Sequence, residues 1–478
     1  MKYLKKTIAI ILYGVMLSSC IAQNTQTDID ANGKEQTATT NMTNETTQPT
    51  ETAIDATELT INAYLQQELL ETIALMFMDS HPGVTVTVNN FFENRKTIVN
   101  AETGAVEGFA VSDDTSLANY RQYINTLLMS GNADDIIIFQ DIPEYQYERM
   151  GALADLTPYI VRDASINEDT FFMNVLDAAK DADGRMYKLP VTATVNTPYY
   201  FDKALTENTG IAWDVNKKMV TYAEMFAYAK QICVASTLEE TYLDLGGRSP
   251  AYFGINWAAA LISDRCYPEF VDLANRAVHF NNPAFIELLT SVYETMQTAA
   301  LVPEDRILDN DYYIPFRQSG NVKQGAGLFV MNPDKYYNMM PTCNAQGEIG
   351  SSPMRAAITA NSPNKDLAWE FLRFMLTDEV QTLPSLYALC VSRTALPIFT
   401  ENYCASWKTT SDGALDFQPD KLHEVWSDWL SMINALNTWD FFIDDTIYTE
   451  LQLYFTDAQT AEETARNLQH TCDLYLNQ

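Results

Sequence analysis

Polar and aromatic side chains stand directly after several apolar runs of this 478-residue chain. Tyr64 and Gln66 follow the run Leu59 to Ala63. Gln140 and Asp141 follow Asp135 to Phe139, Asn256 and Trp257 follow Ala251 to Ile255, and Asn332 follows Val330-Met331. Such residues suit a ligand with an apolar face and a rim of hydroxyls, as a pyranose has. An aromatic ring stacks on the face, short polar side chains meet the rim, and a carboxylate accepts two hydroxyl bonds strengthened by its charge. The spacings needed for catalysis are missing. Asp113-Asp114, Asp134-Asp135 and Asp444-Asp445 are adjacent pairs whose side chains project apart, so none forms a catalytic dyad. His81, His279, His423 and His470 are scattered, without His-Glu-x-x-His spacing, and there is no Gly-x-Ser-x-Gly and no phosphate-binding Gly-Lys-Ser/Thr loop. Asp181-Ala182-Asp183-Gly184 reads as a hairpin turn and not a calcium loop, because Ala179 and Pro190 occupy positions where ligands would be needed. No catalytic residue, metal or cofactor is expected.

The elements that must carry these residues alternate between strand and helix. Leu59 to Tyr64 reads as a strand, and Leu65, Leu69, Leu70, Ile73, Met76 and Phe77 form one helical face ended by His81-Pro82-Gly83. Val84, Val86 and Val88 alternate as a second strand. Residues 89–114 read as a long irregular surface loop. Tyr120, Tyr123, Ile124, Leu127 and Leu128 form the next helical stripe, and Asp135 to Phe139 is a continuous apolar run of the kind buried parallel strands have. The β-α-β-α-β order predicts an α/β sheet with right-handed crossovers. Ligands of open α/β sheets sit beyond the carboxyl ends of the strands, which is why the residues after each run are the candidates. Farther on, Gly327 to Met331 and Ala356 to Thr359 read as short strands, Asn364 to Leu376 as a helix, and the last 60 or so residues as helical.

The amino terminus carries Lys2, Lys5 and Lys6, then the uncharged apolar run Thr7 to Leu17, then Leu17-Ser18-Ser19-Cys20. Basic start, short apolar stretch and small residues make an export signal. Its ending resembles the lipobox of bacterial lipoproteins, which implies lipidation of Cys20 and a chain anchored to the outer face of the cell membrane. Residues 21–57 are rich in Thr, Asn, Gln and Ala and cannot bury enough surface to offset chain entropy, so a disordered polar tether is expected. The remainder is long enough for two domains. With 30 basic and 63 acidic residues the formal charge is −33, which disfavours nucleic acid as a partner. Besides Cys20 there are six cysteines, an even number compatible with disulfides or with buried thiols, and there is no Cys-x-x-Cys.

Five segments in order resemble the bacterial extracellular solute-binding proteins of family 1, the receptors of ABC importers that include the maltodextrin binders. They are Ser130-Gly131-Asn132-Ala133-Asp134-Asp135-Ile136-Ile137, Gly151 to Ile160 (GALADLTPYI), Asp183 to Pro190 (DGRMYKLP), Ser362 to Leu372 (SPNKDLAWEFL), and the terminal helices from Ile447 to Leu476. The resemblance implies a type II periplasmic-binding-protein-like fold: two α/β lobes with the ligand in the cleft between them, lobe one about 58–190 and 341–398, lobe two about 191–340 and 399–478. It places Thr192 and Thr194 at the crossover between lobes, and Trp439 and Asp440 at an aromatic ligand contact. It implies a monomer that binds a small solute, most naturally an oligosaccharide, and delivers it to ABC permease subunits by hinge closure. Thr194 stands where some relatives carry a carboxylate, so maltose itself is not implied. The alternatives are a surface carbohydrate-active enzyme, an adhesin, and a receptor for a non-sugar solute.

Overall fold

The structure is a computed structural model. It describes residues 56–64, 67–91, 97–99, 106–109, 114–139, 144–195, 199–208, 210, 219–222, 224–225, 227–228, 231, 241–244, 267–273, 275–298, 300–301, 313–318, 336–342, 347, 349–351, 353–386, 388–410, 417–437 and 440–477. The leader, Cys20, nearly all of the tether and the expected strand at 327–331 lie outside these residues.

The first half begins with β1 (Glu58–Ala63), α1 (Gln67–Ser80) and β2 (Thr85–Asn90). Then come β3 (Thr97–Val99), β4 (Val106–Phe109), α2 (Asp114–Ser130), β5 (Ile136–Phe139), α3 (Tyr145–Arg149) and β6 (Leu189–Pro190). Next are β7 (Tyr199–Asp202), β8 (Met219–Thr221), β9 (Thr241–Asp244), β10 (Val271–Asp272), β11 (Ala277–Val278) and β12 (Ala300–Leu301). The last strands are β13 (Tyr313–Gln318), β14 (Tyr336–Thr342), β15 (Gly350–Ser351), β16 (Arg355–Ile358) and β17 (Ala435–Leu436). The segment read as an irregular loop holds an antiparallel pair, β3 with β4. Its apolar residues are too few and too mixed with polar ones to carry a period-two signal.

A five-stranded sheet runs β2-β1-β5-β16-β6. β1 pairs parallel with β2 and β5, while β16 is antiparallel to β5 and β6. Both faces of the sheet are covered, which explains why β5 is apolar at every position. Ile136 and Ile138 enter the first core, while Ile137 and Phe139 enter a separate cluster on the other face. α1 supplies Leu69, Leu70, Ile73 and Phe77 to the first core, and the helix Lys365–Met375 supplies Leu367, Phe371, Leu372 and Met375. α2 closes the opposite face with Tyr120, Ile124 and Leu128, four residues apart along one stripe. Each large apolar side chain so buried contributes roughly 1.5–3 kcal/mol.

A six-stranded sheet runs β12-β9-β13-β7-β14-β8. A second core lies with the helices Pro283–Thr298, Phe441–Phe455 and Ala461–Leu476, through Phe285, Leu289, Val292, Ile443, Ile447, Leu451, Ala465, Leu468 and Cys472. The last helix starts at a capping box: the Thr460 hydroxyl accepts from the Glu463 amide, and the Glu463 carboxylate accepts from the Thr460 amide. Cys390, Cys404 and Cys472 are buried thiols outside any disulfide. Burial pushes the Cys472 thiol up to about 12, with Asp440 adding to the shift.

The partition of the chain departs from the expected one. Residues 399–433 were expected in the second lobe, yet Phe399, Cys404, Leu422, Trp426, Trp429, Leu430 and Ile433 belong to the first core. The helices Leu396–Thr410 and Pro419–Met432 bury their apolar faces there, with Trp426 fully enclosed beside Phe399 and Tyr403. Val191, Ala193 and Val195 also belong to the first core, and β14 in the second sheet extends to Thr342. The chain passes between cores after Val195, before Ile349 and after Ile433. These passages are tied together: the Thr194 amide donates to Ser351 Oγ at 3.2 Å, and the Asn437 amide donates to the Ser351 carbonyl at 2.8 Å. β15 pairs parallel with β17, and a Cβ on Gly350 would stand 1.7 Å from Asn437 Oδ1, so only glycine lets these passages approach.

Candidate functional site

The carboxyl ends of β1, β5 and β6 point to one edge of the first sheet. β16, running the other way, starts there: Arg355 stands opposite both Phe139 and Pro190. Among the described residues the edge is therefore lined by Tyr64 after β1, Phe139 at the end of β5, Val191 and Thr192 after β6, and Arg355.

Arg355 is fully buried and forked onto Glu144, with Nε 3.0 Å from Oε1 and Nη2 donating to Oε2 at 3.3 Å. Lys188, also buried, stands 3.6 Å from Glu144 Oε1 and donates to Glu148. Two carboxylates and two cations thus share one buried pocket with no net charge. That balance is what makes burial tolerable, since a single unpaired ion there would cost several kcal/mol. Burial lifts the Glu148 carboxyl above its ordinary value, against the pull of Lys188. The cluster fixes the start of α3, because Glu144 precedes the helix and Glu148 lies within it. On the adjoining face Tyr147 of α3 packs beside Phe139, with ring centroids 5.9 Å apart, and its hydroxyl donates to Asn125 Oδ1 at 2.6 Å.

Tyr64 is buried and stacked on Tyr120, centroids 5.0 Å apart at 26°. The Tyr120 hydroxyl donates to Asn62 Oδ1 at 3.0 Å, and burial holds that hydroxyl far above the usual tyrosine value. Phe91 lies 5.3 Å from the same ring. Tyr64, Tyr120 and Phe91 thus pack as one aromatic cluster at the end of β1.

Of the other candidates, Thr192 lies at this edge, but its hydroxyl accepts the Met354 amide at 3.0 Å and the residue is buried. It holds β6 to the strand entrance of β16. Thr194, half-buried, belongs to the tied passages. Asp440 departs from its expected ligand contact. Its Oδ1 accepts the amides of Phe442 and Ile443, at 3.0 and 3.3 Å, as the amino-terminal cap of the Phe441–Phe455 helix. Its Oδ2 accepts the Tyr145 and Tyr475 hydroxyls at 2.9 and 3.0 Å. A carboxylate has about four acceptor positions, and all are taken. The physical signal was present in the sequence, an Asp immediately before the apolar start of a helix. Gln66, Gln140, Asp141, Asn256, Trp257, Asn332 and Trp439 lie outside the described residues. Sequence reasoning missed Glu144, Lys188 and Arg355. A lone cation heading the apolar run Ala356-Ala357-Ile358, and another inside Met186 to Pro190, were the available signals.

Two of the family-like motif segments, Ser130 to Ile137 and Ser362 to Leu372, meet at the opposite edge. Asp135 accepts the Thr60 amide and hydroxyl at 2.9 and 3.0 Å, the Ser362 hydroxyl at 2.6 Å and the Asn364 side-chain amide at 3.3 Å. Thr157 Oγ1 accepts the Met186 amide at 2.9 Å, joining two further motif segments, and Gly184, with φ +77°, turns the expected hairpin. Among the described residues no three His, Cys, Asp or Glu side chains converge as a metal site, and no helix is long and apolar enough to cross a membrane.

The family model described as bacterial extracellular solute-binding protein matches residues 98–387, more than half of the chain. The sugar-binding protein MalE from Xanthomonas citri superposes with a TM-score of 0.58 over 88% of this chain and 98% of its own, at 17% identity. An extracellular solute-binding protein family 1 member from Alicyclobacillus acidocaldarius gives 0.52 over 88% and 98%, at 14% identity. An ABC substrate-binding protein from Listeria monocytogenes, solved in complex with cycloalternan, gives 0.51 over 88% and 100%, at 18% identity. At these identities the likeness establishes the two-lobe α/β fold. No curated protein matches the chain.

Proposed function

Because the chain belongs to the bacterial extracellular solute-binding proteins, we propose that it is the receptor of an ABC importer, that it captures a carbohydrate between its two lobes, and that it releases the ligand to the permease. The observation that carries this reading is the pair of separate cores joined by tied passages, with an aromatic cluster at the edge where α/β folds bind ligands. The division of labour is capture and hinge closure with no chemistry on the ligand, as for the periplasmic binding proteins among hinge-closing systems. The sugar half of the reading is supported by the aromatic and short polar residues at the strand ends, and by the sugar ligands of the Listeria and Xanthomonas relatives.

The ligand contacts are Tyr64, Gln66, Gln140 and Asp141 from the first lobe. Asn256, Trp257, Asn332 and Trp439 come from the second. Asp141 accepts hydroxyls and Trp257 stacks on the ring face. Cys20 carries the lipid, and the tether lets the folded part reach a permease in the same membrane, raising its effective concentration there. A Cys20→Ser chain then leaves the membrane fraction; retention would refute the anchor.

A thermal-shift panel of mono- and oligosaccharides tests the reading. A receptor gains about 2.7 kcal/mol at a ligand concentration of 100 Kd. Asp141→Ala and Trp257→Ala each weaken binding about tenfold or more without unfolding the chain. A shift with peptides or polyamines alone refutes the sugar, and turnover of any sugar refutes the receptor.

A further inference from the structure

α3 touches both cores. Glu144 and Glu148 hold it to the first sheet through Arg355 and Lys188, and Tyr147 packs with Phe139 and Ala357 of that sheet. Tyr145, two residues from Tyr147, faces the other way and packs against the second core. Its hydroxyl donates to Asp440, the buried cap of the Phe441–Phe455 helix. The same carboxylate oxygen accepts from Tyr475 of the second side, whose ring stacks on Phe442 at 4.3 Å, whose neighbour Leu476 lies in the second core, and whose hydroxyl also meets that of Tyr145.

The character of this junction separates it from a permanent seam. A cavity of about 340 Å³ opens beside the two tyrosines, with Gln146, Arg149 and Met150 on the α3 wall and Arg276 and Leu476 on the facing wall. A fused interface would be filled to core density. Here a small polar contact sits at the margin of an unfilled crevice, the type of contact that can break and re-form at low cost because water can replace it.

We propose that the hydrogen bond from Tyr145 to Asp440 is a reversible latch between the two lobes, made in the orientation of this structure and broken when the lobes swing apart, so that Tyr145 positions the lobes for ligand capture. It rests on the two-lobe receptor reading but not on the identity of the solute. Asp440 presents a fixed, fully bonded acceptor on one side, and the anchored α3 presents the donor on the other. Tyr147→Phe is the internal control: it removes a hydroxyl from the same helix as Tyr145→Phe, but that hydroxyl donates to Asn125 within the first lobe. Burial and the Asp440 charge both hold the Tyr145 hydroxyl in its protonated, donating form, consistent with a latch made throughout the neutral range.

The test uses the full chain without ligand, spin-labelled through a ketone-bearing amino acid at Val161 and Leu453, which are 80% and 41% exposed and lie on helices of the first and second sides. Pulsed electron-spin resonance reads the distance between them. The parent and Tyr147→Phe give the same narrow distribution. Tyr145→Phe adds a second, displaced population, with the latched-to-unlatched ratio reduced about tenfold. An unchanged distribution in Tyr145→Phe overturns the latch. So does an equal change in both variants, which would assign the effect to general loosening of α3. Failure of every sugar to bind leaves this readout intact, so the latch and the sugar reading fail separately.

Discussion

At the amino edge of the first sheet, Asp135 gathers four hydrogen bonds from Thr60, Ser362 and Asn364. At the carboxyl edge, Arg355 and Lys188 face Glu144 and Glu148 beneath the Tyr64–Tyr120 stack. One carboxylate satisfied by neutral donors locks three chain segments far apart in sequence. Four charges that cancel only as a set hold one short helix against both cores. The first arrangement serves the fold, and two of the family-like segments, Ser130 to Ile137 and Ser362 to Leu372, meet there. The second couples stability to the position of α3, and through α3 to the lobes. Motifs that identify a family need not mark its ligand site.

The comparison breaks most sharply at Arg355. Arg355→Met leaves Glu144 buried with only Lys188 nearby, which costs about 3–5 kcal/mol in urea denaturation and also alters the lobe distance distribution, because α3 loses its anchor. A stability loss with unchanged lobe geometry would make the carboxyl edge as purely structural as the amino edge. Asp135→Ala strands the donors of Thr60, Ser362 and Asn364 and costs about 2–3 kcal/mol. The surviving folded protein keeps its ligand affinity; a weakened affinity would remove the distinction between the edges. The smallest effect is confined to alkaline pH. Burial pushes Tyr147, on α3, and Tyr475, across the crevice, up to about 12, above the unfolded value near 10. Raised values favour the neutral phenol in the folded state, so this contribution is fully present below about pH 10 and is lost as pH rises toward 12. A combined ultraviolet and near-ultraviolet dichroism titration therefore finds these tyrosines ionising only as tertiary structure disappears. Full ionisation near pH 10 with the fold intact contradicts that burial.

What could be read from the sequence follows from the range of each signal. β5 was visible because both of its faces are covered, making every residue apolar, and α1, α2 and the Lys365–Met375 helix announced themselves by spacing. The Asp183-Gly184 turn was local. The Arg355–Glu144 pair joins residues 211 apart, and no local pattern encodes that partnership. The last 60 or so residues read as helical but did not show which core would receive them, and the helix Leu396–Thr410 was not read at all, so the membership of both Leu396–Thr410 and Pro419–Met432 in the first core needed the tertiary structure. Asp440 combines both ranges: its capping role was legible as an Asp before the apolar start of a helix, whereas its bond with Tyr145, 295 residues away, was not.

Whether ligand is held at the carboxyl edge between the lobes is decided by a crystal structure of the full chain with the sugar selected by the thermal-shift panel. Sugar density is expected beside Tyr64 and the segment after Phe139, with a second-lobe aromatic on its opposite face. Density at the Asp135 edge, or contact with one lobe only, would overturn that placement.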